Sequence, residues 1–340
     1  MEKSHVTISD VAELANVSKM SVSRVLNGQT GVSEKTRQRI LEAVDQLGYM
    51  SNMPPRMRTT NSKLIGLLIP NMTTLYVDEI LRGVSTTAER LNYGLMLCTQ
   101  NAKGQAPYSG FSPSFLQNND IDGVLMVVPR DSEAIINDLK AYNLPYVIVD
   151  HHNGVGNEYS VTVTNRKGIL DAMRHLLALG HRRIGFITGR LDLTCSHDRL
   201  QGYRDALAEV GLPFDETLVL EGDFSQPTGF RQAQALLQLP EPPTAIVASN
   251  DMMAFGVMDA AKAARLTIGK DLSIVGFDDV FMASQTHPTL TTVRQPMFDM
   301  GATAFELLVM LLEERTMISL RRELPTELVI RESTGRAPQS

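Results

Sequence analysis

Two groups of residues in this 340-residue chain have the types and spacing to do chemistry. The first lies in TISDVAELANVSKMSVSRVLNG, Thr7 to Gly28. After Ser18, Val22, Val25 and Leu26 fall on one side of a helical wheel and Met20 and Arg24 on the other, with Ser21 and Ser23 flanking and Lys19 at the start. A protruding helical turn with a long cation and a serine can meet base edges and phosphates together, because a helix fits the major groove of B-form DNA. The second group consists of polar residues placed just after apolar runs: Asn71 and Tyr76, Asp150, Arg190 and Asp192, Asn250-Asp251, and Asp278-Asp279. In parallel sheets such positions collect at the carboxyl ends of the strands, where ligands bind. Singly, each is a helix cap or turn former; their convergence is what points to a site.

The elements that must position the first group are three short helices. Thr7 caps a helix carrying Asp10 in its first turn, a break follows at Asn16-Val17, and Ser18 caps the second helix, which Asn27-Gly28 closes. Ser33 caps a third, with Ile40, Leu41, Val44 and Leu47 facing inward. This reads as a helix-turn-helix; an ordinary helical hairpin is the alternative. From Leu64 the pattern becomes β/α, with buried-strand runs such as LIGLLI, GVLMV, IGFIT, AIVA and SIVGF separated by helical stretches. That alternation predicts doubly wound parallel sheets in two similar lobes. The chain divides into a head at 1–49, a hinge or linker at 50–63 containing Pro54-Pro55, and a core at 64–340. Two arginines and two methionines in the linker allow a second, minor-groove DNA contact; a plain tether is the alternative.

Composition limits the function classes. Hydrophobic residues make up 43% of the chain, which is ample for cores of this size. No stretch approaches the length needed to span a bilayer, and MEKSHVTISD lacks the apolar region of a secretory signal, so a cytoplasmic protein without a membrane partner is expected. Cys98 and Cys195 have no metal-type spacing and read as reduced packing residues. The net charge of -6 is unevenly spread: nine Lys or Arg against six acids up to Lys63 make that part +3, leaving -9 on the remainder. A basic module on an acidic body suits local phosphate contacts.

The chain resembles bacterial transcription regulators of the lactose-repressor/galactose-repressor type. The resemblance is carried in order by TISDVAELANVSKMSVSRVLNG, VSEKTRQRILEAVDQLGY, IGLLIP, HLLALGHRRIGFITG, RLQGYRDAL, SNDMMAFGVMDAA, DLSIVGFDD and HPTLTTVRQP, and covers nearly the whole chain. It implies a small all-α helix-turn-helix head on an α/β periplasmic-binding-protein-like core of two doubly wound parallel-sheet lobes. It also implies a homodimer that reads a pseudo-palindromic operator DNA and encloses a small-molecule effector: a sugar, sugar phosphate or nucleoside. By analogy Lys19 and Met20 read major-groove base edges with Arg24 assisting, Ser18, Ser21, Thr7, Asn27 and Asn52 contact the DNA backbone, and Met57 is the wedge at the operator centre. The effector would be held by Arg199, Asn250 and Asp278, with Phe224 as an aromatic platform and Asp150, Tyr76 and Asp192 completing the wall. Asp251 is expected to be structural.

The chain departs from the family pattern at three places. Its linker is one residue shorter and carries Pro54-Pro55 where alanines are usual, NAKGQAPYSGFSPSF at 101–115 replaces a charged helix, and Thr164 stands where an aspartate is common. The resulting expectation is a ligand-responsive, sequence-specific DNA-binding regulator, a repressor, with no cofactor and no metal. A cytosolic sugar- or nucleoside-binding protein of the same two-lobed fold is the alternative. An enzyme using Asp278 and Asp251 finds no support in GxSxG, P-loop, GxGxxG or metal-spaced motifs.

Overall fold

The computed structural model describes residues 7–26, 32–47, 62–69, 75–99, 121–128, 133–150, 158–313 and 321–338. Three helices open the chain: α1 (Ile8–Leu14), α2 (Lys19–Leu26) and α3 (Glu34–Gln46). Thr7 starts α1 by donating both its amide, at 2.6 Å, and its hydroxyl, at 2.8 Å, to the Asp10 carboxylate. Those bonds hold the Asp10 carboxyl below its usual range. Asn16 takes the left-handed conformation (φ 51°) at the break between α1 and α2, which a short polar side chain tolerates. Ser18 Oγ accepts the Ser21 amide at 3.1 Å and Ser33 Oγ the Thr36 amide at 3.3 Å, so the expected caps of α2 and α3 form.

The seam of the head is Val11, Ala12, Ala15, Val22, Val25, Ile40, Ala43 and Val44. One inward assignment is corrected: Leu41 is 48% exposed and Ala43 lies in the core instead. Ile40, Ala43, Val44 and Leu47 form an i, i+3, i+4, i+7 stripe, and Leu41 sits about 100° around the helix from it.

The remaining elements, in order, are β1 (Leu64–Ile69), α4 (Leu75–Arg90), β2 (Gly94–Thr99), β3 (Gly123–Val127), α5 (Glu133–Ala141), β4 (Tyr146–Val149), β5 (Ser160–Val163), α6 (Asn165–Ala178), β6 (Ile184–Thr188), α7 (Thr194–Glu209), β7 (Val219–Glu221), α8 (Gln226–Leu237), β8 (Ala245–Ala248), α9 (Asp251–Ala263), β9 (Ser273–Asp278), β10 (Thr291–Arg294), α10 (Met297–Leu312), β11 (Arg321–Leu324) and β12 (Glu327–Val329). They form two six-stranded sheets, ordered β11-β5-β4-β3-β1-β2 and β12-β10-β9-β8-β6-β7. The described pairings are parallel except β10 with β12. β3, β6, β8 and β9 are buried at every residue, as expected of parallel strands covered on both faces. In the second sheet Phe186, Val247 and Val275 pack with α6 and α7, while their neighbours Ile187, Ile246 and Ile274 pack with α8 and α9. Alternate side chains point to opposite faces, so these helices form two layers on either side of the sheet.

Strands β5, β10 and β11 are absent from the sequence reading. They are four residues each, rich in Ser, Thr and Arg, and lack an apolar run of their own; pairing with β4, β9 and β5 makes them strands. By packing, the chain forms two units: Met1–Asn71, Ser85–Val147 and Phe305–Met317 in one, Met72–Val84, Ile148–Ala304 and Ile318–Ser340 in the other. No described helix is long and apolar enough to cross a membrane.

Candidate functional site

On the head, packing of Val22 and Val25 turns the opposite side of α2 outward. Lys19 and Arg24 are exposed and Met20 is 65% exposed. Ser18 and Ser21 are bonded to each other at 2.9 Å, which holds the first turn of α2. The Thr7 hydroxyl is turned onto Asp10. Asn27, Asn52, Met57, Pro54-Pro55 and the 101–115 stretch lie outside the described residues.

The second candidate site lies wholly within the second unit. Arg199, on the inner face of α7, is only 2% exposed. Its Nε donates to Asn165 Oδ1 at 2.8 Å and its Nη1 to the Ser249 carbonyl at 2.5 Å, and the guanidinium lies 3.8 Å over the Phe277 ring. Asn165 starts α6 just after β5, Ser249 follows β8, and Phe277 is the penultimate residue of β9, so three strand ends fix one arginine. Stacking and two directed bonds stabilise a buried cation that would otherwise be costly to desolvate.

Asp278, next to Phe277, is 4% exposed and accepts Gln295 Nε2 at 2.6 Å. Burial raises its carboxyl to about 7, against the opposing pull of Arg199 and Gln295, and the nearby Asp150 carboxylate raises it further. Asp150, 5% exposed at the end of β4, accepts the Tyr76 hydroxyl at 2.9 Å. Desolvation and the charges of Asp150 and Asp278 push that phenol well above its ordinary range. The backbone is strained at this site: Asp278 has φ 122°, Asp279 58°, Asp150 59° and Phe224 68°. Non-glycine residues hold such angles only where their surroundings enforce them. Asp279 is clamped by Arg294 and Arg331, each at 2.7 Å.

The structure thus brings together Arg199, Asp278, Asp150 and Tyr76. Asn250 and Phe224 form a second, linked pair. Asn250 Oδ1 caps α9 by accepting the Met253 amide at 2.9 Å, and its Nδ2 donates to the Phe224 carbonyl at 3.1 Å. The half-buried Phe224 ring lies on Gly189, where a Cβ would come within 1.9 Å of it. Asp192 is placed differently: it is exposed, bonded by Arg190 Nε at 3.0 Å, and shares an open groove with Glu221, Asp223, Thr228 and Arg231. Asp251 is structural, its buried carboxylate accepting the Val280 amide at 2.9 Å and the Thr292 hydroxyl at 2.5 Å, which ties down the loop after β9.

Three contributors are missing from the sequence reading: Asn165, Phe277 and Gln295. Phe277 and Gln295 stand inside the quoted motifs DLSIVGFDD and HPTLTTVRQP, and Asn165 follows Thr164, yet only the folded sheet shows that they face Arg199 and Asp278.

Residues 7–52 match the bacterial regulatory proteins of the lacI family, and residues 173–334 match the periplasmic binding protein-like domain. The HTH-type transcriptional repressor CytR of Escherichia coli is 33% identical over 340 residues, covering 99% of this chain and 98% of its own. The chain belongs to the lacI family of bacterial regulatory proteins. As a member it is a DNA-binding transcriptional regulator whose relatives are regulators rather than enzymes. The transcriptional regulator CelR in complex with cellobiose superposes with a TM-score of 0.74 at 30% identity, covering 96% of this chain and 99% of that one. The lac repressor dimer bound to operator and the anti-inducer ONPF does so with 0.72 at 29% identity, covering 97% and 99%. The helix-turn-helix head and the two parallel-dominated sheets are the architecture of this lacI family.

Proposed function

We propose that this chain is an effector-responsive repressor that binds a pseudo-palindromic operator as a homodimer and senses a sugar or related polyhydroxyl metabolite. The observation that carries the sensing role is the buried Arg199–Phe277–Asp278 arrangement at the strand ends, a cation and a carboxylate held rigidly beside an aromatic face. Vicinal hydroxyls match such a donor and acceptor pair, and the apolar face of a sugar or nucleoside matches a ring such as Phe224. The CelR neighbour, a complex with cellobiose, supports this class.

On the head, Lys19 donates to guanine edges, Met20 makes apolar contact with a thymine methyl, Arg24 assists, and Ser18, Ser21 and Thr7 meet phosphates. Asn27 and Asn52 take backbone contacts and Met57 the central step. The head spans 1–49, the linker 50–63 and the sensing core 64–340, and the protein works in the cytoplasm. For dimerisation the second unit carries a suitable face: Phe281 is 75% and Met282 43% exposed, beside a groove lined by Met252, Phe255 and Met258 with Asp259 and Lys262 at its rim. A second copy related by a two-fold axis would cover the apolar centre and can set Asp259 of each copy against Lys262 of the other.

The test is a gel-shift titration of the full chain on its operator against sugars, sugar phosphates and nucleosides, after a thermal-shift screen of the same compounds. A ligand that binds the folded state raises the melting temperature and then changes operator affinity. A chain that binds its operator identically with every compound that raises its melting temperature is not a sensor.

A further inference from the structure

The chain enters the core through a strained and tightly held backbone. Lys63, the residue before β1, has φ 49°. Asn16, Asn92 and Asn143 take the same hand, which asparagine tolerates; a lysine keeps it only where its surroundings enforce it. Those surroundings are the amino ends of three adjacent strands, β3, β1 and β2. The Lys63 carbonyl accepts the amide of Gly94, which opens β2, at 2.6 Å. The Leu64 carbonyl accepts the amide of Asp122, which precedes β3, at 2.8 Å, and Asp122 Oδ1 in turn accepts the Ser62 amide at 3.3 Å. Ser62 Oγ accepts the Leu64 amide at 3.3 Å. The Lys63 ammonium lies 5.7 Å over the Tyr93 ring, which stands edge-on to the buried Phe305. All of these residues belong to the first unit.

The same spot holds an orphaned acceptor. Asp122 Oδ2 is buried without a hydrogen-bond partner, although its sister oxygen holds Ser62. Buried acceptors left unpaired are rare and costly. The phenol of Tyr93 is raised by burial first and then by the charges of Asp122 and Glu313, so the carboxylate lies beside the ring that Lys63 covers. A left-handed lysine and an unpaired carboxylate oxygen are thus kept together at one joint, and starting a strand requires neither.

We propose that Lys63 and Asp122 are positioning residues for operator binding: their joint sets the direction in which the linker leaves the core, and so where each head stands. This role rests on the two-headed operator reading proposed above. A left-handed residue turns the chain sharply, so fixing φ at Lys63 and tethering the Ser62 amide to Asp122 fixes the exit of the linker. A fixed exit raises the effective concentration of the second head once the first is bound. A free joint spreads the heads over many spacings, of which a palindrome accepts one.

The test compares full-length variants on the complete operator returned by a binding-site selection and on its isolated half-site. Lys63→Gly relieves the strain, because glycine takes either hand of φ, and frees the exit. It is expected to melt no lower than the wild type yet bind the complete operator about fivefold more weakly or worse, with half-site binding unchanged. Lys63→Asn, which keeps the left-handed turn and drops the charge, is expected to stay within about twofold of the wild type on both fragments. Asp122→Ala should lose as much as Lys63→Gly on the complete operator, and Asp122→Asn, which keeps an acceptor for Ser62, should recover most of that loss. A merely structural role would move the melting temperature and both fragments together. Wild-type affinity in Lys63→Gly overturns the proposal. So does a Lys63→Asn chain that loses as much as Lys63→Gly, which makes the lysine a phosphate contact, or a loss that the half-site shares equally. A wild type that binds the complete operator no more tightly than the half-site overturns the two-headed reading and this role with it, whereas a preference for the complete site that every variant retains overturns the joint alone.

Discussion

At the scale of single residues, the decisive fact is that Asp278 is buried and held at φ 122° beside a buried arginine. Burial raises its carboxyl to about 7 from an ordinary 3.8, with Arg199 and Gln295 opposing and Asp150 adding; burial, with the nearby Asp278, also pushes the Asp251 carboxyl well above its ordinary range. A carboxyl whose folded-state pKa is raised is protonated in the native chain while the unfolded chain is ionised, so it destabilises progressively as pH rises through that window. Between pH 6 and 8 the wild-type protein should lose about 1.4 kcal/mol to this group, a loss Asp278→Asn lacks. Melting curves of the two proteins should therefore diverge in favour of the variant as pH rises; parallel curves would show that Asp278 is not the titrating group. Arg199→Ala should abolish the effector response in a gel-shift titration while operator affinity without effector stays within a few fold. An unchanged response removes Arg199 from the site. Legibility at this scale was uneven. Arg199 and Asp278 stand out because a family motif surrounds them, whereas Asn165 and Gln295 are an ordinary amide at a helix start and another before a proline. Nothing local in the sequence says that these amides meet an arginine and an aspartate 34 and 17 residues away.

At the scale of elements, α2 shows how caps and face together leave one side of a helix outward. Ser18 fixes where the helix begins, Val22 and Val25 fix which side is buried, and Met20 is left 65% exposed as a consequence. Exchanging Met20 for Ala or Gln should change the consensus returned by a binding-site selection, since apolar contact with a thymine methyl is lost in the first and an amide that can pair with adenine is introduced in the second. The same consensus would remove Met20 from the base contacts. The packing of α8 on α9 is tighter than sequence propensity suggests: a Cβ at Gly229 would stand 2.2 Å from the Met253 carbonyl, and one at Gly256 2.2 Å from the Gln226 carbonyl. Gly229→Val should lower the midpoint in urea, the cost reaching 1–3 kcal/mol or more because backbone rather than a flexible side chain must yield. The strongly apolar runs IGFIT, AIVA and SIVGFD were readable as strands, and SVTV, TTVR and RREL were not. Four-residue segments with hydroxyl or charged side chains have no stripe of their own, and it is the neighbouring strand that completes them.

At the scale of the whole molecule, charge and apolar surface are distributed by task, with a +3 amino-terminal segment on a body of -9. Among the described residues of the second unit Phe281 is the most exposed large hydrophobic side chain, and Met282 beside it is 43% exposed. Phe281→Asp should convert a sedimenting dimer into a monomer and weaken operator binding steeply, because a palindrome is gripped by two heads at once. A dimer that persists at micromolar concentration would place the interface elsewhere. By itself the sequence determined the kind of molecule: hydrophobic periodicity, helix caps and the order of motifs are local properties of the chain, and together they specify a helix-turn-helix head on a two-sheet α/β core. Which side chains meet was decided only by tertiary structure. The adjacent parallel strands β8 and β9 carry Ser249 and the Phe277-Asp278 pair, distant in sequence, to neighbouring carboxyl ends, and burial there changes what each group can do. A carboxylate becomes a group titrating near neutrality and an arginine becomes a fixed anchor. Both depend on desolvation by residues far away in the chain.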